Sequence, residues 1–147
     1  MNARRLLLLI ATPLAIVSLA APAAAAVINV VKTASCGCCG KWVEHMRKAG
    51  HDVRVTNVED VTPTARRLGV PDDLRSCHTS SVGGYAIEGH VPAADIARLL
   101  REKPKAAGLS VPGMVAGSPG MEMGSNKPPY QTIIFTRDGK RKVFAQH

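Results

Sequence analysis

A predicted strand leads directly into a cysteine cluster at Val27-Ile28-Asn29-Val30-Val31-Lys32-Thr33-Ala34-Ser35-Cys36-Gly37-Cys38-Cys39. The β-branched residues in 27–32 predict a buried strand. Residues 41–49 predict a helix that ends at Gly50. These three cysteines therefore lie between the first predicted strand and the first predicted helix.

The rest of the chain continues this alternation of strands and helices. Further predicted elements are a strand at 51–58, a short proline-initiated helix at 63–68, a hairpin at 82–90, a helix at 92–103, a Gly/Pro/Met-rich loop at 104–129, and a C-terminal β-hairpin at 130–144 that turns at Asp138-Gly139. This order predicts an α/β fold, with a mixed sheet flanked by helices in one domain at 27–147. A cysteine motif at the start of the first helix is typical of thioredoxin-like proteins, a likeness of fold that decides no function.

Residues 1–26 have the features of a signal peptide. Arg4 and Arg5 precede an apolar stretch at 6–20, and Ala24-Ala25-Ala26 offers small residues for cleavage before Val27. The alternative is an uncleaved membrane anchor, but the apolar stretch is shorter than the roughly 20 residues that a spanning helix needs. We therefore expect export to the periplasm and no membrane span after signal cleavage.

The charge and the aromatic content argue against a nucleic-acid partner. The chain has 19 basic and 11 acidic residues, a net charge of +8 that becomes +6 without Arg4 and Arg5. Most basic residues are scattered, and Lys140-Arg141-Lys142 beside a predicted turn reads as a solvated face. Aromatic residues make up only 3% of the chain, too few for the stacking platforms of single-strand binders.

The four cysteines carry the chemical information. Cys36, Cys38 and Cys39 fall within four residues, and Cys77 is the fourth. A helix N-terminus favours thiolates, which serve both disulfide exchange and metal binding, so local physics does not choose between the two. A purely structural disulfide framework is a further alternative, although such a role would hardly need three clustered thiols.

Soft ligands in the long loop favour copper. Met114, Met121 and Met123 lie in a Gly/Pro-rich segment with little core to fill. Thioethers suit Cu(I), while thiolates suit Cu(I), zinc and iron–sulfur clusters. His78 follows Cys77 and is a candidate nitrogen ligand, whereas the other four histidines, His90 included, are expected to be solvated or hydrogen-bonded.

Four segments together resemble the CopG-type family of small exported bacterial proteins associated with copper resistance. These segments are Thr33-Ala34-Ser35-Cys36-Gly37-Cys38-Cys39-Gly40-Lys41-Trp42, Ser76-Cys77-His78-Thr79, Tyr85-Ala86-Ile87-Glu88-Gly89-His90-Val91-Pro92, and Val111-Pro112-Gly113-Met114 with Gly117-Ser118-Pro119-Gly120-Met121-Glu122. The resemblance implies a thioredoxin-like fold that binds copper, as one ion or as several ions bridged by thiolates. It also implies that Cys36, Cys38, Cys39 and Cys77 are the ligands and that the methionine-containing loop lies near them.

Two functions of different classes follow from these observations. The first is a periplasmic protein that sequesters Cu(I) or hands it on, contributing to copper resistance, with copper ions and other periplasmic copper proteins as partners. Its metal-ligand candidates are the four cysteines, His78, Met114, Met121 and Met123, and Met121 is predicted to approach the cysteines. The second is a thiol–disulfide oxidoreductase that uses Cys36 and Cys39. A zinc site is a third option that leaves the methionines without a role.

Overall fold

The computed structural model of the protein describes residues 26–147, so the predicted signal peptide lies outside the described residues except for Ala26. Within these residues, no helix is long and apolar enough to cross a membrane. The elements in chain order are β1 (Val27–Lys32), α1 (Gly37–Lys48), β2 (Asp52–Asn57), α2 (Thr62–Leu68), a short 3₁₀ turn (Asp72–Leu74), β3 (His78–Val82), β4 (Tyr85–Gly89), α3 (Ala93–Glu102), β5 (Gly108–Val111), β6 (Gln131–Phe135) and β7 (Arg141–Gln146).

The strands form one mixed sheet in the order β2-β1-β3-β4-β5-β6-β7. The pairs β1–β2 and β4–β5 are parallel, and the other neighbours are antiparallel. The predicted α/β class and the mixed sheet are therefore confirmed.

Helices cover both faces of this sheet. The larger apolar cluster contains buried residues of α1 and α3, such as Trp42 and Leu99, together with Ile87 of β4. The smaller cluster contains Ala65 of α2 and Ala86 of β4. Because neighbouring residues of a strand point to opposite faces, Ala86 and Ile87 assign the two clusters to opposite sides of the sheet.

Three predicted elements differ from the structure by more than two residues. Helix α1 begins at Gly37 rather than at residue 41, so Cys38 and Cys39 lie in its first turn. Strand β3 begins at His78, earlier than the predicted hairpin, because its polar residues are buried between two neighbouring strands. The predicted loop at 104–129 contains β5, a strand of four residues that is too short to show alternation. The loop that remains, residues 112–130, is called the methionine loop below.

Several chain segments meet at one edge of the sheet. The end of β1 pairs with the start of β3 through Lys32 and His78. The end of β4 lies beside the end of β5 through Gly89 and Val111. The segments that follow β1, precede β3, follow β4 and follow β5 therefore share this edge, which we call the site edge.

Candidate metal centre

Helix α1 starts within the cysteine motif. Cys36 is its N-cap residue, and the Cys36 carbonyl accepts a hydrogen bond from the Gly40 N–H at 3.3 Å. The first turn contains no acidic residue, so its N–H groups and the helix dipole favour negative charge on the neighbouring sulfurs. Cys39 is fully buried, whereas Cys36 and Cys38 are partly exposed.

The four sulfur atoms converge. Cys36 and Cys39 form a disulfide, and Cys38 and Cys77 are free. The Cys38 Sγ lies 3.5 Å from the Cys36 Sγ and 4.0 Å from the Cys77 Sγ. The Cys77 Sγ also lies 3.5 Å from the Cys39 Sγ. Reduction of the disulfide would therefore place four thiols in one cluster.

Two histidines adjoin the sulfur of Cys77. Its Sγ lies 3.1 Å from Nε2 of His90 and 3.6 Å from Nδ1 of His78. Nδ1 of His90 lies 2.8 Å from the carbonyl oxygen of Pro119, which can only accept a hydrogen bond. Nδ1 therefore carries the proton in the neutral ring, and the lone pair of Nε2 faces Cys77.

Burial keeps these side chains uncharged. Burial lowers the pKa of His78 to about 3, and the nearby His90 and Lys32 add smaller effects in the same direction. Burial is also the largest cause that raises the pKa of Cys77 to about 11, and the Cys38 sulfur adds to it. Burial likewise lowers the pKa of His90. A metal that binds here meets neutral imidazoles and must displace the Cys77 proton.

Lys32 supplies a positive charge next to His78. Its side chain is only 9% exposed, and its Nζ donates a hydrogen bond to the Thr33 carbonyl at 2.9 Å. In the sheet it pairs directly with His78. A cation beside His78 disfavours a second positive charge there and so helps to keep the imidazole neutral.

Part of the methionine loop packs against helix α1. Gly120 is buried with φ +84, and a Cβ added to it would lie 2.7 Å from the Trp42 backbone nitrogen and 2.8 Å from the Cys38 carbonyl oxygen. Only glycine permits this approach. Met121, which follows directly, is half-buried, whereas Met114 and Met123 are 60% and 63% exposed. Direct ligation by the three methionines, including the approach of Met121 to the cysteines, stays a prediction.

The donor atoms form two sets that share Cys77. One set contains Cys36, Cys38, Cys39 and Cys77, and the other contains Cys77, His78 and His90, each with its ligand atoms within 4.8 Å of one another. Sulfur and imidazole donors suit Cu(I) and zinc far better than they suit magnesium or calcium. The residues therefore fit a soft metal ion once the disulfide is reduced.

His90 is the member of these sets that we did not assign from the sequence. It is fully buried, whereas we expected a solvated or hydrogen-bonded ring. Its hydrogen bond with Pro119 agrees with that expectation, but its Nε2 faces Cys77. The available signal was its position in 85–92, one of the segments that carry the CopG-type resemblance.

Comparisons with known proteins agree with this chemistry. The family described as "Protein of unknown function, DUF411" matches residues 74–121. No curated protein sequence matches the chain. A solved structure titled "Copper resistance protein copG- Form 2" is 43% identical with a TM-score of 0.80, and the match covers 84% of this chain and 98% of that chain.

A second solved structure, titled "Copper resistance protein copG- Form 1", is 45% identical with a TM-score of 0.78. That match covers 82% of this chain and 96% of the other. Both matches thus include nearly the whole length of the solved chains at an identity that shows common family membership. With its cysteine cluster at the site edge, the chain belongs to the CopG copper-resistance family.

Proposed function

We propose that the protein binds Cu(I) in the periplasm through its cysteine cluster, and sequesters the ion or hands it on, contributing to copper resistance. The observation that carries this proposal is the convergence of four cysteine sulfurs and two imidazoles within two overlapping donor sets. The titles of the two similar structures name copper resistance. The signal-peptide features of residues 1–26 support export.

The donor set favours Cu(I) over zinc. Four cysteines suit either ion, but the methionines have a role only if the metal accepts thioethers, as Cu(I) does. Sulfurs that are 3.5 to 4.0 Å apart also allow a thiolate to bridge two ions. Cys77, shared by both donor sets, is the best placed for bridging. The +6 charge of the chain without Arg4 and Arg5 offsets the negative charge of such a cluster.

A thiol–disulfide oxidoreductase is the second candidate, and one observation favours it. Cys36 and Cys39 are joined in a disulfide at the start of α1. We also propose that the arrangement is thioredoxin-like, supported by this position of the cysteines between the first strand and the first helix. In the oxidoreductase reading, however, Cys38, Cys77 and the two histidines have no assigned role.

Native mass spectrometry of the reduced protein, loaded anaerobically with Cu(I), tests the copper proposal. We expect a defined adduct of one or more copper ions. In Cys38→Ser this adduct should be absent or should contain fewer copper ions. Ser35→Ala is the matched control, because Ser35 is exposed beside the same motif and carries no candidate ligand. Absence of retained copper in the parent protein would contradict the proposal.

The same variant separates the two candidates. Cys38→Ser leaves the Cys36–Cys39 pair intact, so an oxidoreductase should keep its reductase activity and a copper protein should lose copper. Reductase activity together with unchanged copper uptake in Cys38→Ser would reject the cysteine-cluster proposal and favour the oxidoreductase.

A further inference from the structure

Glu88 is a buried carboxylate outside both donor sets. It lies in β4, and its side chain has no exposed surface. Its Oε1 accepts hydrogen bonds from the Ser76 N–H at 2.7 Å and from Nε of Arg75 at 3.3 Å. Its Oε2 accepts one from the Thr79 hydroxyl at 2.6 Å. Three donors compensate a buried charge that would otherwise be costly.

All three donors belong to the segment that carries Cys77. Ser76 and Arg75 precede it, and Thr79 follows it. The pairing of β3 with β4 ends at Thr79 and Glu88, so Cys77 lies beyond that ladder. The Glu88 carboxylate therefore holds the Ser76 backbone beyond the end of that ladder, and it binds the side chains of Arg75 and Thr79 on either side of Cys77.

The same segment is tied to the start of the methionine loop. The Ser76 hydroxyl donates to the Gly113 carbonyl at 2.5 Å, and the Gly113 N–H donates to the Arg75 carbonyl at 2.9 Å. Gly89 packs closely on its other side, since an added Cβ would lie 2.5 Å from the Ser76 hydroxyl oxygen. Displacement of the 75–77 segment would therefore disturb Cys77 and the loop together.

We propose that Glu88 is a positioning residue for the copper site, whose carboxylate fixes Cys77 so that its sulfur meets Cys38, Cys39 and His90. This inference rests on the proposed copper function. Glu88 does not bind the metal; it acts through the backbone that presents a ligand. Its removal should weaken copper binding even in molecules that remain folded.

The test is to measure the Cu(I) affinities of Glu88→Leu and Glu88→Gln. Competition with a chromophoric chelator under reducing conditions gives these affinities. Loss of an outer-shell partner typically weakens metal affinity by about 10- to 100-fold, which we expect for Glu88→Leu. Glu88→Gln keeps one acceptor oxygen and should fall between this variant and the parent. Glu102→Gln is the matched control, because Glu102 is 45% exposed and pairs with Arg98 across one helical turn.

An assay well below the melting temperature distinguishes a loss of Cys77 positioning from a loss of folding stability. Well below its melting temperature, a variant that has lost only stability binds copper with the affinity of the parent protein. We therefore expect folded Glu88→Leu to resemble Cys77→Ser in copper stoichiometry. Folded Glu88→Leu with parental affinity and stoichiometry would overturn the proposal.

A second readout covers the case in which Glu88→Leu does not fold. Neutral acceptors form weaker hydrogen bonds than carboxylates, so Glu88→Gln should speed hydrogen exchange at the Ser76 amide but not at β5 amides. Parental exchange at Ser76 with parental copper affinity would refute the role. If the parent protein binds no Cu(I), the proposed function fails and the role of Glu88 at a copper site fails with it, while exchange at Ser76 still shows whether Glu88 holds the segment that carries Cys77.

Discussion

Replacement of Gly120 by alanine should lift the methionine loop from helix α1 and weaken copper binding. The added Cβ would lie 2.7 Å from the Trp42 nitrogen and 2.8 Å from the Cys38 carbonyl oxygen. Both atoms belong to the backbone of α1, so the loop must move instead. That movement would break the hydrogen bond between Pro119 and His90, which is 2.8 Å long.

The cost of this substitution can be divided into two parts. A left-handed backbone, here φ +84, costs a non-glycine residue about 1–2 kcal/mol. The lost hydrogen bond adds about 1 kcal/mol. We therefore expect Gly120→Ala to lower the free energy of unfolding by about 2–3 kcal/mol. Without Pro119 to set its tautomer, His90 should also bind copper less well, and Cu(I) affinity should fall about tenfold.

Gly124→Ala is the matched control for Gly120→Ala. Gly124 lies in the same loop with φ +62, but an added Cβ has no atom within 4 Å. It should therefore carry only the backbone cost of about 1–2 kcal/mol and leave copper affinity unchanged. Urea unfolding and chelator competition on both variants give the comparison. Equal effects of the two substitutions in both assays would refute the proposed contact between loop and helix.

Three further predictions concern buried and exposed side chains of the site. His78 has a pKa lowered to about 3 from 6.5, so its contribution to stability is complete above about pH 6.5 and is lost as the pH falls toward 3. Between about pH 7.5 and about pH 5, the free energy of urea unfolding should fall by about 2 kcal/mol more than in His78→Gln, and equal falls in the two proteins would contradict this. Lys32→Met should weaken Cu(I) affinity about tenfold in chelator competition without loss of thermal stability, since it removes a buried cation whose sheet partner, His78, adjoins Cys77; unchanged affinity would contradict this. Met121→Leu should weaken Cu(I) binding more than Met123→Leu, because Met123 is 63% exposed; the reverse order would count against a loop ligand at 121.

The order of strands and helices was predictable because its signals are local. The β-branched residues of 27–32 and the apolar face at Ile96 and Leu99 each depend on a few neighbouring positions. Strand β5 was missed because Gly108–Val111 is too short for any periodicity. Its strand conformation depends on β4 and β6, which pair with it on either side.

The candidate site was predictable to the extent that its residues are clustered in the sequence. The close spacing of Cys36, Cys38 and Cys39 indicates a site, and Cys77 is the remaining cysteine. His90 joins them only because β4 ends at the same edge of the sheet at which β3 begins. That convergence is a property of sheet topology and register, which no local pattern of residues contains.

The direction of the strands also decides where the protein can be labelled. Gly83-Gly84 connects β3 to β4, and Asp138-Gly139 lies between β6 and β7. Both turns lie at the end of the sheet that is remote from the cysteines. Strand β7 then runs back, and the side chain of His147 hydrogen-bonds to Asp95 at 2.9 Å. A polyhistidine tag placed after His147 would therefore bring competing imidazoles toward the candidate copper ligands. A fluorophore on the exposed turn at 138–139 would report on the molecule without entering that competition.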